Sequence, residues 1–167
     1  MPFYRPYPNP RPTLDVQYQP EGPWGHQIVY RCLFNPQQFR GHLDYEIDNA
    51  NQRLLIHTID AHPQRQRLGS LLLFQFTLEV FPLAINNVIA LLVAPNAYNF
   101  YHYNGFQPGL PGQPGPHLQA GPGNWNPFNA QQHTQQFLAQ QTALLEWSGT
   151  VQGISQRAGA RILNHWL

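Results

Sequence analysis

A chain of 167 residues with 42% hydrophobic content holds enough apolar material for one domain with a sizeable core. Charged residues make up only 10% of it, against roughly 25% in ordinary soluble domains, so solubility rests on Gln, Asn, His and Pro. The formal net charge of +1 gives no electrostatic basis for binding nucleic acid or an anionic membrane surface.

Residues 1–25 are dense in proline and aromatic side chains, a composition that excludes helix. They are expected to form an extended arm laid over the core by Phe3, Tyr4, Tyr7 and Trp24. The opening "MPFYRPYPNPRP" has neither the charged start nor the apolar stretch of a signal peptide, and no apolar run approaches the length of a membrane span. A cytoplasmic protein is the expectation.

From His26 the pattern changes. "HQIVYRCLF" predicts a strand, "NPQQFRG" a turn, "HLDYEID" a half-exposed strand and "NANQ" a tight turn. "RLLIHTIDA" predicts a strand buried on both faces, so three strands form an antiparallel meander. Cys32, the single cysteine, falls inside an apolar run and is expected to pack as a small core residue. It excludes an internal disulfide and any cysteine-based zinc cluster, and no metal site is expected.

Past Gly69, Leu71, Leu72, Phe76 and Val80 recur at helical spacing until Pro82 ends the pattern. "NNVIALLVA" predicts a buried strand. It runs into "NAYNFYHYNGF", a helix with Pro95 in its first turn and Gly105 at its end. The order β-β-β-α-β-α, with a crossover helix between two buried strands, places the chain in the α/β (α+β) class, on a mixed, mostly antiparallel sheet. Residues 26–106 are the expected core. Residues 107–127, rich in Pro and Gly, are the expected linker, and 128–167 a C-terminal helical segment. There, Asn126 and Pro127 open one helix, Phe128 to Trp147. A last helix puts Val151, Ile154, Ala158, Ile162 and Trp166 on one stripe, apolar enough to pack on the core or on a second copy of the chain as a homodimer.

Two stretches carry chemistry. "QRQRLGS", Gln64 to Ser70, opens the crossover helix, where free backbone N–H groups and the helix dipole attract an anion. Gly69 permits close approach, and Arg65 and Arg67 add charge. Gln64-x-x-Arg67-x-Gly69 resembles the pyrophosphate loop of the GNAT acetyltransferase superfamily, Gln/Arg-x-x-Gly-x-Gly/Ala. About thirty residues on, "NAYNFYHYNGF" resembles that superfamily's Asn-Ala-x-x-Phe-Tyr-x-x-x-Gly-Phe segment.

The resemblance spans roughly His26 to Phe106. It implies an N-acetyltransferase that moves the acetyl group of acetyl-CoA directly to an amine of a protein or small molecule. It implies a pyrophosphate held on Gln64, Arg65, Gln66, Arg67, Leu68, Gly69 and Ser70, and the acetyl carbonyl polarised by a backbone N–H near Ile59, Asp60 or Ala61. Asn96 would lie by the pantetheine arm. Tyr101 would protonate the departing thiolate, since a phenol is neutral at pH 7 and close to a thiol in pKa. Phe100 and Phe106 would then be core residues, with one or both of Tyr98 and Tyr103. His57 interrupts an apolar strand and suits a general base, directly or through water, with Asp60, His62 and Glu46 as rivals.

Three departures stand out. Arg67 occupies the loop's first glycine position, only the Pro-rich arm precedes the first strand, and no final hairpin is evident. These departures also admit a GNAT-like module that binds without catalysing. All nine basic residues are arginine and lysine is absent, which denies the chain any side-chain amine of its own to acetylate. The same absence would spare a translocated effector or toxin from ubiquitination at lysine.

Overall fold

The protein is described at residues 14–32, 37–64, 67–110, 113–114 and 145–166 of a computed structural model. Four strands open the fold: β1 (Leu14–Gln19), β2 (His26–Cys32), β3 (Arg40–Asp48) and β4 (Arg53–His62), each antiparallel to the next. The meander therefore has one strand more than the three expected. Leu14 to Gln19 pairs along the whole of β2, so part of the expected arm is an edge strand. An edge position suits this segment, in which Leu14, Val16 and Tyr18 alternate with polar residues and give one apolar face. Trp24, in the turn that follows, does fold back onto the sheet, while Phe3, Tyr4 and Tyr7 lie outside the described residues.

The crossover is helical as the spacing required. α1 (Leu68–Val80) buries Leu72, Leu73, Phe76 and Val80 completely, each such burial stabilising by about 1.5–3 kcal/mol. Phe76 meets Tyr45 of β3 edge to face at 4.9 Å, which fixes the helix against the sheet. β5 (Asn87–Val93) returns parallel to β4, and the short α2 (Tyr98–Tyr103) follows a 3₁₀ turn at Pro95–Ala97. Of the helix's two uncertain tyrosines, Tyr98 is buried and Tyr103 is exposed. Phe106 is buried and Phe100 packs half-buried against the core.

The C-terminal part departs most from expectation. Gln107–Leu110 is strand β6, and it meets a two-residue β7 (Gln113–Pro114) where an unstructured linker was expected. Leu145–Thr150 is strand β8, not the end of a helix, and it is inserted antiparallel between β5 and β6. The remainder of the expected helix, 128–144, lies outside the described residues. The sheet thus runs β1-β2-β3-β4-β5-β8-β6-β7. Trp147 of β8 is fully buried, 5.2 Å from the ring of Tyr98. The last helix, α3 (Val151–Trp166), is as expected, and it packs beside α1. Val151, Ile154, Ala158 and Ile162 of the expected stripe are buried within the chain's own core, while the side chain of Trp166 lies outside the described residues.

Candidate active site

β4 and β5 pair only from Arg53/Asn87 to Ile56/Ala90, although both strands run on beyond that point. Each carries an irregularity where they part. On β4, Ile56 pairs with Tyr45 and Thr58 with Asp44, leaving His57 as an extra, unpaired residue. On β5, the register with β8 shifts between Ala90 and Val93, and Leu92 sits exposed at a φ of 51°. Such bulges bend strands and end pairing, and here they open the sheet at its centre.

Below that opening lies a cavity of about 570 Å³. Ile59, Asp60 and Ala61 line it from β4; Gln64, Arg67, Leu68, Gly69 and Ser70 from the loop and the start of α1. Asn96, Ala97, Phe100 and Tyr101 line it from the other motif, and Arg161 from α3. Of the residues expected to hold the coenzyme, Arg65 and Gln66 lie outside the described residues, and the rest meet at this one cavity.

The loop's entry is pinned from the sheet. Tyr30 Oη donates to the carbonyl of His62 at 3.1 Å and accepts its N–H at 3.0 Å. Tyr30 crosses Gly41 to get there, where a Cβ would lie 2.5 Å from its ring. Arg67 then adopts φ 55° and ψ 25°, the left-handed region, which glycine enters without steric cost. A non-glycine residue in this conformation costs about 1–2 kcal/mol. The first helical bond runs from Leu71 N–H to the Arg67 carbonyl, so the N–H groups of Leu68, Gly69 and Ser70 have no acceptor within the helix.

Gly69 has a second duty that its sequence position does not reveal. A Cβ there would stand 2.7 Å from Cε2 of Phe100, so the glycine lets α1 and α2 close together. Arg67 also departs from expectation: its Nη1 donates to the Arg161 carbonyl at 3.0 Å, which turns the side chain onto α3. Arg161 Nε donates to Ser70 Oγ at 3.1 Å, and Ser70 Oγ donates in turn to Asn104 Oδ1 at 2.8 Å. Asn104 Nδ2 closes the chain on the Phe100 carbonyl at 2.8 Å. One polar line therefore joins α3, α1 and α2. Arg161 and Asn104 were not foreseen, because nothing local in the sequence links positions so far apart.

Tyr101 is held by rings, edge to face with Phe100 at 5.2 Å and with Phe106 at 5.1 Å. Its burial pushes the phenol well above the ordinary tyrosine pKa, so it stays protonated throughout the neutral range. Its hydroxyl bonds to no other described residue and is available to a ligand in the cavity.

His57 does not line the cavity; it lies two residues before Ile59, at the bulge. Its Nε2 is 2.9 Å from Glu46 Oε2, and its ring lies flat against Trp24 at 3.8 Å and 5°. His57 and one of its rivals, Glu46, are thus a hydrogen-bonded pair under an indole. Asp60 lines the cavity while His62 does not. Among the described residues, no group of three His, Cys, Asp or Glu side chains is placed to hold a metal, and no helix is long and apolar enough to cross a membrane.

No protein-family model matches the chain, and no curated protein sequence matches it. Two solved structures are similar in fold. Nourseothricin acetyltransferase is 14% identical over 83% of this chain and 84% of its own, with a TM-score of 0.48. N-acetylglutamate synthase from Neisseria gonorrhoeae, solved with coenzyme A and N-acetyl-glutamate, is 12% identical over 75% of this chain, with a TM-score of 0.47. The chain covers only 25% of that enzyme's length.

Proposed function

We propose that the protein is an N-acetyltransferase that uses acetyl-CoA and acts on a primary amine of a small molecule or a protein. One observation carries this reading. The two sequence motifs, distant in the chain, line the same cavity at the point where β4 and β5 part. The residues fit the coenzyme in kind: free N–H groups and a helix N-terminus suit the pyrophosphate, and a neutral phenol stands on the same cavity.

When bound, acetyl-CoA supplies a thioester whose C–S bond breaks as the acceptor's N–C bond forms. The chain's residues then have separate tasks. Leu68, Gly69 and Ser70 present backbone N–H groups to the pyrophosphate, with Gln64 at the loop's start. A backbone N–H near Ile59, Asp60 or Ala61, on the edge of β4 that β5 leaves unpaired, would serve the acetyl oxygen, and Asn96 would border the pantetheine arm. Tyr101 Oη gives its proton to the departing sulfur, a task suited to a phenol that burial keeps protonated. The amine's proton leaves through water to His57, which Glu46 orients.

Mass spectrometry of coenzyme A species released from the purified protein, with calorimetry of added coenzyme A, tests the reading. Co-purified or tightly bound coenzyme is the expected result; no binding by the folded protein would refute it. Coenzyme binding without transfer to any of a panel of amines would favour a module that binds without catalysing, a role the arginine at the loop's first glycine position also admits.

A further inference from the structure

The region around the start of α1 holds more positive charge than its partners balance. Arg67 reaches the Arg161 backbone, and Arg161 is lowered from its ordinary pKa first by burial and then by the charge of Arg67. Both lie at the N-terminus of α1, which is itself the positive end of the helix dipole. No carboxylate among the described residues forms an ion pair with either, and Asp60, which also lines the cavity, is no exception. Like charges gathered at a helix N-terminus are unfavourable by themselves and become favourable when an anion lies among them.

The two arginines are not equivalent. Arg67 is committed to α3 through its bond to the Arg161 carbonyl. Arg161 is held at its Nε by Ser70 Oγ, with its guanidinium 5.4 Å over the ring of Tyr103. Neither terminal nitrogen of Arg161 has a hydrogen-bond partner among the described residues. A guanidinium clamped at Nε and over a ring, with its fork open at the edge of a cavity, is pre-organised for a phosphate.

We infer that Arg161 of α3 is the phosphate-binding residue that selects the phosphorylated coenzyme, in place of the side chain of Arg67. This rests on the acetyl-CoA reading above. Arg161 then acts on the phosphate end of the ligand and leaves the thioester end untouched. Its contribution depends on salt, as any charge–phosphate contact does.

The test compares wild type, Arg161→Met and Arg161→Lys by calorimetry with coenzyme A, S-acetylpantetheine and inorganic pyrophosphate, each at low and high salt. Arg161→Met should weaken coenzyme A roughly 10- to 100-fold, as expected for a lost hydrogen bond to a charged group, and flatten the salt dependence. Affinity for S-acetylpantetheine, which lacks the diphosphate, should hold, and Arg161→Lys should fall between the two. Unchanged coenzyme A affinity in a folded Arg161→Met variant would overturn the inference. So would equal losses for coenzyme A and S-acetylpantetheine, which mark a merely structural role. If Arg161→Met does not fold, the Lys variant and the wild-type salt dependence decide. Wild type that ignores coenzyme A but binds pyrophosphate through Arg161 would refute the coenzyme and keep the anion site. Wild type that binds neither refutes both.

Discussion

Ser70→Ala removes one oxygen from the centre of the polar line between the three helices. Ser70 and Asn104 are both fully buried, so water cannot replace what is lost on that side. Asn104 Oδ1 loses its donor at 2.8 Å and is left buried without one, a cost of about 1–3 kcal/mol. Arg161 Nε also loses its acceptor at 3.1 Å, but that side chain is partly exposed and water restores most of the interaction. Alanine is the better helix former by about half a kcal/mol, which offsets part of the loss. The net expectation is a destabilisation of about 1–2 kcal/mol, or roughly 2–8 °C in Tm for a chain of this size. Urea unfolding should show the midpoint falling with its slope unchanged. A double-mutant cycle with Arg161→Met should then give a coupling of at least about 0.5 kcal/mol. A Ser70→Ala variant as stable as wild type, with no coupling to position 161, would mean that the line does not hold the helices together.

Tyr101→Phe should keep the fold and the coenzyme affinity while lowering turnover by roughly 10²–10⁴-fold; full activity would reduce Tyr101 to a packing residue. Tyr30, Tyr45 and Tyr101 are all raised above the ordinary value of 10.0, chiefly by burial. Above that pH the unfolded chain releases phenolic protons that the folded chain keeps, so stability should be complete below pH 10 and fall as pH rises past it. Tyr45→Phe should shallow that decline, and an unaltered alkaline transition would contradict the assigned cause. Gly41→Ala should displace Tyr30 from the His62 backbone, cost about 1–3 kcal/mol and weaken coenzyme binding; a wild-type Tm would show that the ring has room to move. Deleting residues 145–167 removes an internal strand and α3, and should leave aggregates by light scattering, whereas a soluble, cooperatively unfolding product would show that the rest folds alone.

What the sequence made legible was local. Leu72, Phe76 and Val80 repeat at helical spacing because one face of α1 meets the sheet, and "NNVIALLVA" is apolar because β5 is interior to it. The loop and the Tyr101 helix were legible through residue spacing. β1 and β8 were not: Leu14 to Gln19 does alternate apolar and polar, but it follows a proline-rich run and reads with it as one arm, and β8 owes its state to neighbours far away in the chain. The same holds for Arg161, whose partners Arg67 and Ser70 come more than ninety positions earlier. The steric need for Gly69 against Phe100 is also invisible in one dimension, and it makes Gly69→Glu a poor probe of coenzyme binding alone.

The place of β8 between β5 and β6 has a consequence for how the protein is made. β5 leaves the ribosome with one edge unsatisfied, and the strand that covers that edge is synthesised much later. At ~5–20 residues per second, the apolar run of Asn87–Val93 waits roughly 3–11 s for Leu145–Thr150. An open, apolar strand edge is the kind of surface that pairs with other chains. Yield in the cell should therefore depend on translation speed through residues 94–150 and on chaperones that shield nascent strands, more than on the stability of the finished fold.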